Sequence, residues 1–124
     1  MWEEIAALNS EIGEREFRKD IAYFNGLLAP AFAMQRANPE RTIVDRGRFL
    51  HELETADPKA RVTQVDSMSL FGQERLIVTC VVMMEKRRYH NVRVFVANRN
   101  PNASNADHKW LLLAWLNEPL PSSE

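Results

Sequence analysis

Few residues in this 124-residue chain could do chemistry, and their spacing argues against most of it. The three histidines, His51, His90 and His108, show neither a His-x-His nor a His-x-x-x-His spacing, so no metal site is expected. Cys80 is the only cysteine, which excludes an internal disulfide or a thiolate cluster. It lies in the most apolar stretch and reads as a small buried hydrophobe. Four scattered glycines cannot build a phosphate-cradling loop, and no G-x-S-x-G elbow is present. No cofactor is expected. The run Lys86-Arg87-Arg88 is the one dense basic patch, and it reads as a solvated hairpin connection.

Arg93 stands apart. It sits among Val92, Val94, Phe95 and Val96, where an unpaired charge would be costly. Strand alternation puts Arg93 on one face with Asn91 and Phe95, while Val92, Val94 and Val96 form a uniform face opposite. The mixed face suits a pocket wall and the valine face suits packing. A guanidinium there could hold a carboxylate through two parallel hydrogen bonds. A salt bridge to an internal acid, or a place in a polar dimer seam, would satisfy it as well. Asp66 is the one mid-strand acid able to reach it. Trp110 and Trp115, five apart on the last strand, are expected on opposite faces, with Asn117 sharing the face of Trp115.

The elements that position these residues fall into two halves. Trp2, Ile5, Leu8 and Ile12 recur at helical spacing over residues 2 to about 18. The apolar phase then slips after Gly13, which predicts a bend or break there. Asp20 caps a second helix carrying Ile21, Phe24, Leu27 and Leu28, which stops near Pro30. A short extended piece, 32–36, leads to a turn at 38–41. Asp45 caps a third helix containing Phe49, Leu50 and Leu53, ended by Asp57-Pro58. Four strands follow, at 62–71, 75–85, 89–98 and 110–118, with the polar loop 99–108 before the last. Helices first and strands after indicate an α+β fold. Between Leu76 and Met84 the only conventionally polar side chain is Thr79, so both faces of that strand must be covered. Helices can cover one face, and a second copy of the chain can cover the other.

Sixteen Lys and Arg against seventeen Asp and Glu give a net charge of −1. That balance offers no field for a nucleic-acid backbone or an anionic membrane. No stretch is long and apolar enough to span a bilayer, and the acidic first twenty residues do not read as a secretory signal. A cytoplasmic protein of one domain, 1–124, is expected, with a disordered tail from about 120.

The phrases FNGLLAPAFAM, VDRGRFL, YHNVRVFV and WLLLAWLNEP, in this order, resemble the nuclear transport factor 2-like superfamily and, within it, the SnoaL-like branch. The resemblance covers roughly residues 3 to 119. It implies a cystatin-like cone, a strongly bent antiparallel sheet wrapped around the N-terminal helices, with a pocket at the open end. It also implies a homodimer through the convex face of the sheet. The pocket is then expected to be lined by Tyr23, Phe24, Phe49, Arg93, Phe95, Trp115 and Asn117, and to take a small organic ligand, an anionic one on Arg93. The fold hosts cofactor-free isomerases, cyclases and hydrolases as well as inert association modules. The carboxylate base of the steroid-isomerase pattern is missing, because Met34, Gln35 and Arg36 stand where the first strand would supply it. Tyr23 could supply a phenol. A pocket closed by Phe24, Phe49, Phe95 and Trp115 would favour the association module.

Overall fold

In the computed structural model, which describes residues 1–121, helix α1 (Trp2–Phe17) runs unbroken through Gly13. The expected break there does not occur. The buried stripe is Ile5, Asn9, Ile12 and Glu16, at spacings of four, three and four, so two polar residues continue the apolar phase. Phe17 is 41% exposed, and Trp2 is also exposed. Gly13 serves close approach instead: a Cβ there would stand 3.0 Å from Arg61 Cγ and 3.3 Å from Thr63 Oγ1 across the helix–sheet contact. The helix stops at Lys19, whose φ of 56° is left-handed. Asp20 N–H donates to Arg15 O and Lys19 N–H to Glu16 O, the paired bonds of a Schellman ending. A lysine in that conformation costs about 1 kcal/mol.

Helix α2 (Ile21–Leu27) begins where expected, with Asp20 Oδ1 accepting from Tyr23 N–H at 3.0 Å. Leu28 is not its last turn. It opens strand β1 (Leu28–Gln35), and Pro30 falls in the stretch between Leu28 and Ala33 where the ladder to the neighbouring strand is irregular. Strand β2 (Ile43–Asp45) has only three residues, too few to show an alternation in sequence, and pairs antiparallel with β1. Asp45 caps α3 (Arg46–Thr55), its Oδ1 accepting from Arg48 N–H at 2.9 Å. Strands β3 (Arg61–Phe71), β4 (Arg75–Met84), β5 (Arg87–Ala97) and β6 (Trp110–Pro119) complete one six-stranded sheet in the order β2-β1-β6-β5-β4-β3. One pairing, β1 with β6, is parallel. These strands lie at opposite ends of the chain, so no hairpin fixes their relative direction. The result is the expected α+β architecture, helices packed on a bent sheet.

One sheet face holds the core, including Leu76, Val78, Cys80 and Val82 of β4 with Asn91, Arg93 and Phe95 of β5. Trp110 and Trp115 both join that face, contrary to the expectation of opposite sides. Ala97 pairs with Trp110, Phe95 with Leu112 and Arg93 with Trp115, with a bulge between Val94 and Phe95. The bulge gives β6 one extra residue, which returns Trp115 to the face of Trp110.

The opposite face of the sheet is not covered within the chain. Ile77, Thr79 and Val81 are half-buried there, and Met83 and Leu116 are exposed. Leu120 still donates its N–H to Arg88 O, and residues 122–124, the remainder of the expected tail, lie outside the described residues. Among the described residues no helix is long and apolar enough to cross a membrane.

Cys80 is fully buried between Val65 and Asn91. Burial pushes its thiol pKa up, against the nearby Arg93 charge. An alkylating reagent is therefore expected to label native protein at least about a hundredfold more slowly than denatured protein. Comparable rates, followed by mass spectrometry, would mean the helical face opens readily.

Candidate functional site

Arg93 is completely buried and anchors a polar network on the core face of the sheet. Its Nη1 donates to Asn9 Oδ1 at 2.9 Å and lies 3.5 Å from Asn9 O. Its Nη2 donates to Asn91 Oδ1 at 3.1 Å. That same oxygen accepts from Trp115 Nε1 at 2.7 Å, and Asn91 Nδ2 donates to Asn117 Oδ1 at 3.0 Å. Asn9 is fixed in turn by donating Nδ2 to Ile5 O at 2.8 Å. The guanidinium lies over the Trp115 ring, 4.4 Å from its centre, where a cation is stabilised by the ring face.

Every hydrogen-bond partner of Arg93 is neutral. No carboxylate pairs with it among the described residues, and its Nε–H has no acceptor. The bridge to Asp66 does not form. Asp66 falls in the β3 bulge between Val65 and Ser67 and is exposed. Burial pulls the guanidinium pKa down, offset in part by Cys80 and Glu16.

This network lies against a cavity of about 510 Å³, within the ordinary size range of a small-molecule site. Of the residues expected in the pocket, Arg93, Phe49, Trp115 and Asn117 line it. Phe24 and Phe95 do not. Both are fully buried in the core, and Phe24 packs on Phe49 with ring centres 5.5 Å apart. Tyr23 is also elsewhere. It lines a second cavity of about 390 Å³ with Arg15, His108 and Trp110, and Arg15 lies 5.1 Å from its ring centre. Burial and Glu11 push its phenol pKa up, and its hydroxyl makes no hydrogen bond.

The main cavity also gathers side chains whose role is invisible in strand alternation. Glu16 enters from α1, Arg36 from the end of β1, Glu52 from α3, Arg61 from β3 and Tyr89 from β5. Arg36 and Glu52 pair at 2.6 Å, which holds Glu52 below the usual carboxylate range. Lys19, Arg36, Lys59, Arg61 and Arg93 face Glu16, Glu52 and Asp57, an excess of positive charge. The sequence did carry a signal for two of the unforeseen residues. Asn9 and Glu16 sit in the helical phase set by Ile5 and Ile12, where an apolar residue would be ordinary.

Glu16 is the unusual acid. Arg61 Nη1 stands 3.0 Å from its Oε1, an ion pair off the ideal hydrogen-bond line between two largely buried side chains. Arg61 is tethered to the backbone through Nε, which donates to Lys59 O at 3.2 Å. Burial pushes the Glu16 pKa up, with Arg61, Arg93 and Arg36 opposing. A folded-state pKa above the unfolded value means that folding is favoured below the ordinary carboxylate range. That advantage is lost as pH rises through the raised value. Glu16→Gln removes the ionisation, so its melting temperature relative to the parent should climb as pH rises above the ordinary carboxylate range. A difference independent of pH would mean that Glu16 is not strained by burial.

No protein-family model matches the chain, and no curated protein matches it in sequence. Solved structures do match in fold. An NTF-2-like protein of unknown function from Silicibacter pomeroyi superposes with a TM-score of 0.70 at 14% identity, covering 95% of this chain and 97% of that one. A cystatin-like domain of unknown function from Nostoc punctiforme gives a TM-score of 0.73 at 13% identity, over 96% of this chain and 76% of that one. The CaMKII hub of S. rosetta gives 0.68 at 18% identity, over 94% of each chain. The chain has the nuclear transport factor 2-like, cystatin-like fold. At these identities the likeness extends to the fold alone.

Proposed function

We propose that this chain is a small-molecule-binding cone domain whose main cavity holds the anionic group of an organic ligand on Arg93. The observation that supports this reading is a cavity whose lining sets Lys19, Arg36, Lys59, Arg61 and Arg93 against Glu16, Glu52 and Asp57, with the hydrogen-bond partners of the buried Arg93 all neutral. A buried cation that lacks a counter-anion is costly, and a bound carboxylate removes that cost. The SnoaL-like repertoire of cofactor-free isomerisation, cyclisation or hydrolysis fits the same cavity. Glu16 from α1 offers the carboxylate that the first strand lacks, and Tyr89 offers a phenol. We place the protein in the cytoplasm as a single domain.

The proposal includes a homodimer through the uncovered sheet face, where Met83 and Leu116 are 51% and 37% exposed. The rival reading, an association module with an idle pocket, draws on the same face and on the likeness to a hub domain. A panel of carboxylates and their neutral amide analogues, screened by thermal shift, separates the two. Stabilisation by carboxylates alone supports the binding domain. No response from any member, together with a dimeric mass in light scattering, supports the association module.

A further inference from the structure

We propose that Lys19 supplies a second positive charge for the anionic ligand at the rim of the main cavity, from a backbone position that costs the fold stability. This inference rests on the reading of the cavity as an anion site and adds a binding residue to it.

Two independent observations single out Lys19. The first is availability. Of the cations lining the cavity, Arg36 pairs with Glu52 at 2.6 Å and Arg61 with Glu16 at 3.0 Å, while Lys59 pairs with Glu85 at 3.4 Å. Arg93 is held by Asn9 and Asn91 over the Trp115 ring. Among the described residues, Lys19 makes neither an ion pair nor a side-chain hydrogen bond. It is half-buried where Arg93 is fully buried, so it stands on the solvent side of the cavity. Its ammonium can meet an incoming anion without abandoning an acid.

The second observation is the backbone. At a φ of 56° a Cβ crowds the neighbouring carbonyl, and helix endings of this kind ordinarily carry glycine. The other non-glycine residues with positive φ are Arg41, Gln73 and Glu85. They lie in the connections β1–β2, β3–β4 and β4–β5 and line neither cavity. Residue 19 cannot relax, because its N–H donates to Glu16 O and its C=O accepts from Ile21 N–H, both at 3.0 Å. A glycine would make the same two bonds without the crowding. What it would lack is the side chain, and that side chain reaches the cavity. Strain kept beside a cavity points to a use for the residue that carries it. A half-exposed ammonium acts through a partly screened field, so its share of binding is smaller than that of the buried Arg93.

The test uses the full chain, with benzoate and its neutral analogue benzamide titrated by ligand-observed NMR at low salt, and thermal melts without ligand. Lys19→Gly is expected to melt about 4 °C above the parent and to bind benzoate about fivefold more weakly. Lys19→Arg should keep most of the benzoate affinity, since it keeps the charge. Gln73→Gly makes the same exchange at a turn away from the cavity and should leave benzoate binding unchanged. Undiminished benzoate binding by Lys19→Gly would overturn the role of Lys19 and leave the Arg93 site standing. An equal loss of benzamide would show a change of cavity shape and would also overturn it. A melting temperature at or below that of the parent would overturn the claim that Lys19 costs stability. Failure of the parent to bind benzoate or any other carboxylate would overturn both this inference and the reading it rests on.

Discussion

Arg93→Met should weaken carboxylate binding by about a hundredfold while leaving the protein folded. Methionine fills much of the same volume but has no charge and no forked donors. The binding loss is large because the forked donors proposed to meet the ligand's carboxylate are gone, and the remaining guanidinium groups of the cavity, Arg36 and Arg61, are engaged with its acids. The effect on stability is smaller because two terms oppose each other. Removing the cation relieves the cost of burying it. The substitution also leaves Asn9 Oδ1 without its 2.9 Å donor, whereas Asn91 Oδ1 keeps Trp115 Nε1 at 2.7 Å. The net change should lie within about 2 kcal/mol of the parent. Thermal melts with and without a carboxylate measure both quantities on one sample. If the variant unfolds outright, Arg93 is a structural residue. If it is stabilised by the carboxylate as strongly as the parent, the anion lies elsewhere.

Leu116→Asp should convert a dimer to a monomer at micromolar concentration. Leu116 pairs with Val92 on β5 and with Gln35 on β1, toward the middle of the uncovered face. In an isolated chain an aspartate there remains hydrated, since the parent leucine is already 37% exposed. At a sheet-on-sheet seam the same carboxylate would be buried against the partner's valines and leucines without a counter-ion, a cost of several kcal/mol. Light scattering should therefore give twice the chain mass for the parent and the chain mass for the variant, with circular dichroism unchanged. A monomeric parent would end the homodimer reading at once. A variant that remains dimeric would place the interface on another surface.

The fold was largely legible because it rests on local rules. Asp20 and Asp45 cap helices where their side chains can accept from N–H groups three residues on. The polar loop and the Gly72 turn punctuate strands whose alternation sets the faces of β5. Arg93 was conspicuous for the same reason, a charge in an apolar alternating run. The misreadings share one physical cause, that a strand or helix phase can be shifted by a contact the sequence does not announce. The bulge opposite Val94 and Phe95 brought Trp110 and Trp115 onto one face. Helix α1 runs unbroken where the slip in apolar phase after Gly13 suggested a bend or break, and it ends at a lysine in left-handed geometry.

Local pattern thus determined the helices, every strand but β2, the buried face of β5 and the residue most in need of a partner. The tertiary structure decided what stands around that residue. Asn9 is 84 positions from Arg93 in sequence, yet its side-chain oxygen is 2.9 Å from Nη1. Glu16 looked like one more acid in a charged helix until α1 settled on β3 and took it out of water. Tyr23 is expected in the pocket from the family resemblance, yet it lines the second cavity beside Leu8 and Arg15 of α1. Periodicity reports which face of an element is buried, because burial repeats with the backbone. Which buried faces meet depends on how elements far apart in the chain cross, and no local spacing encodes that.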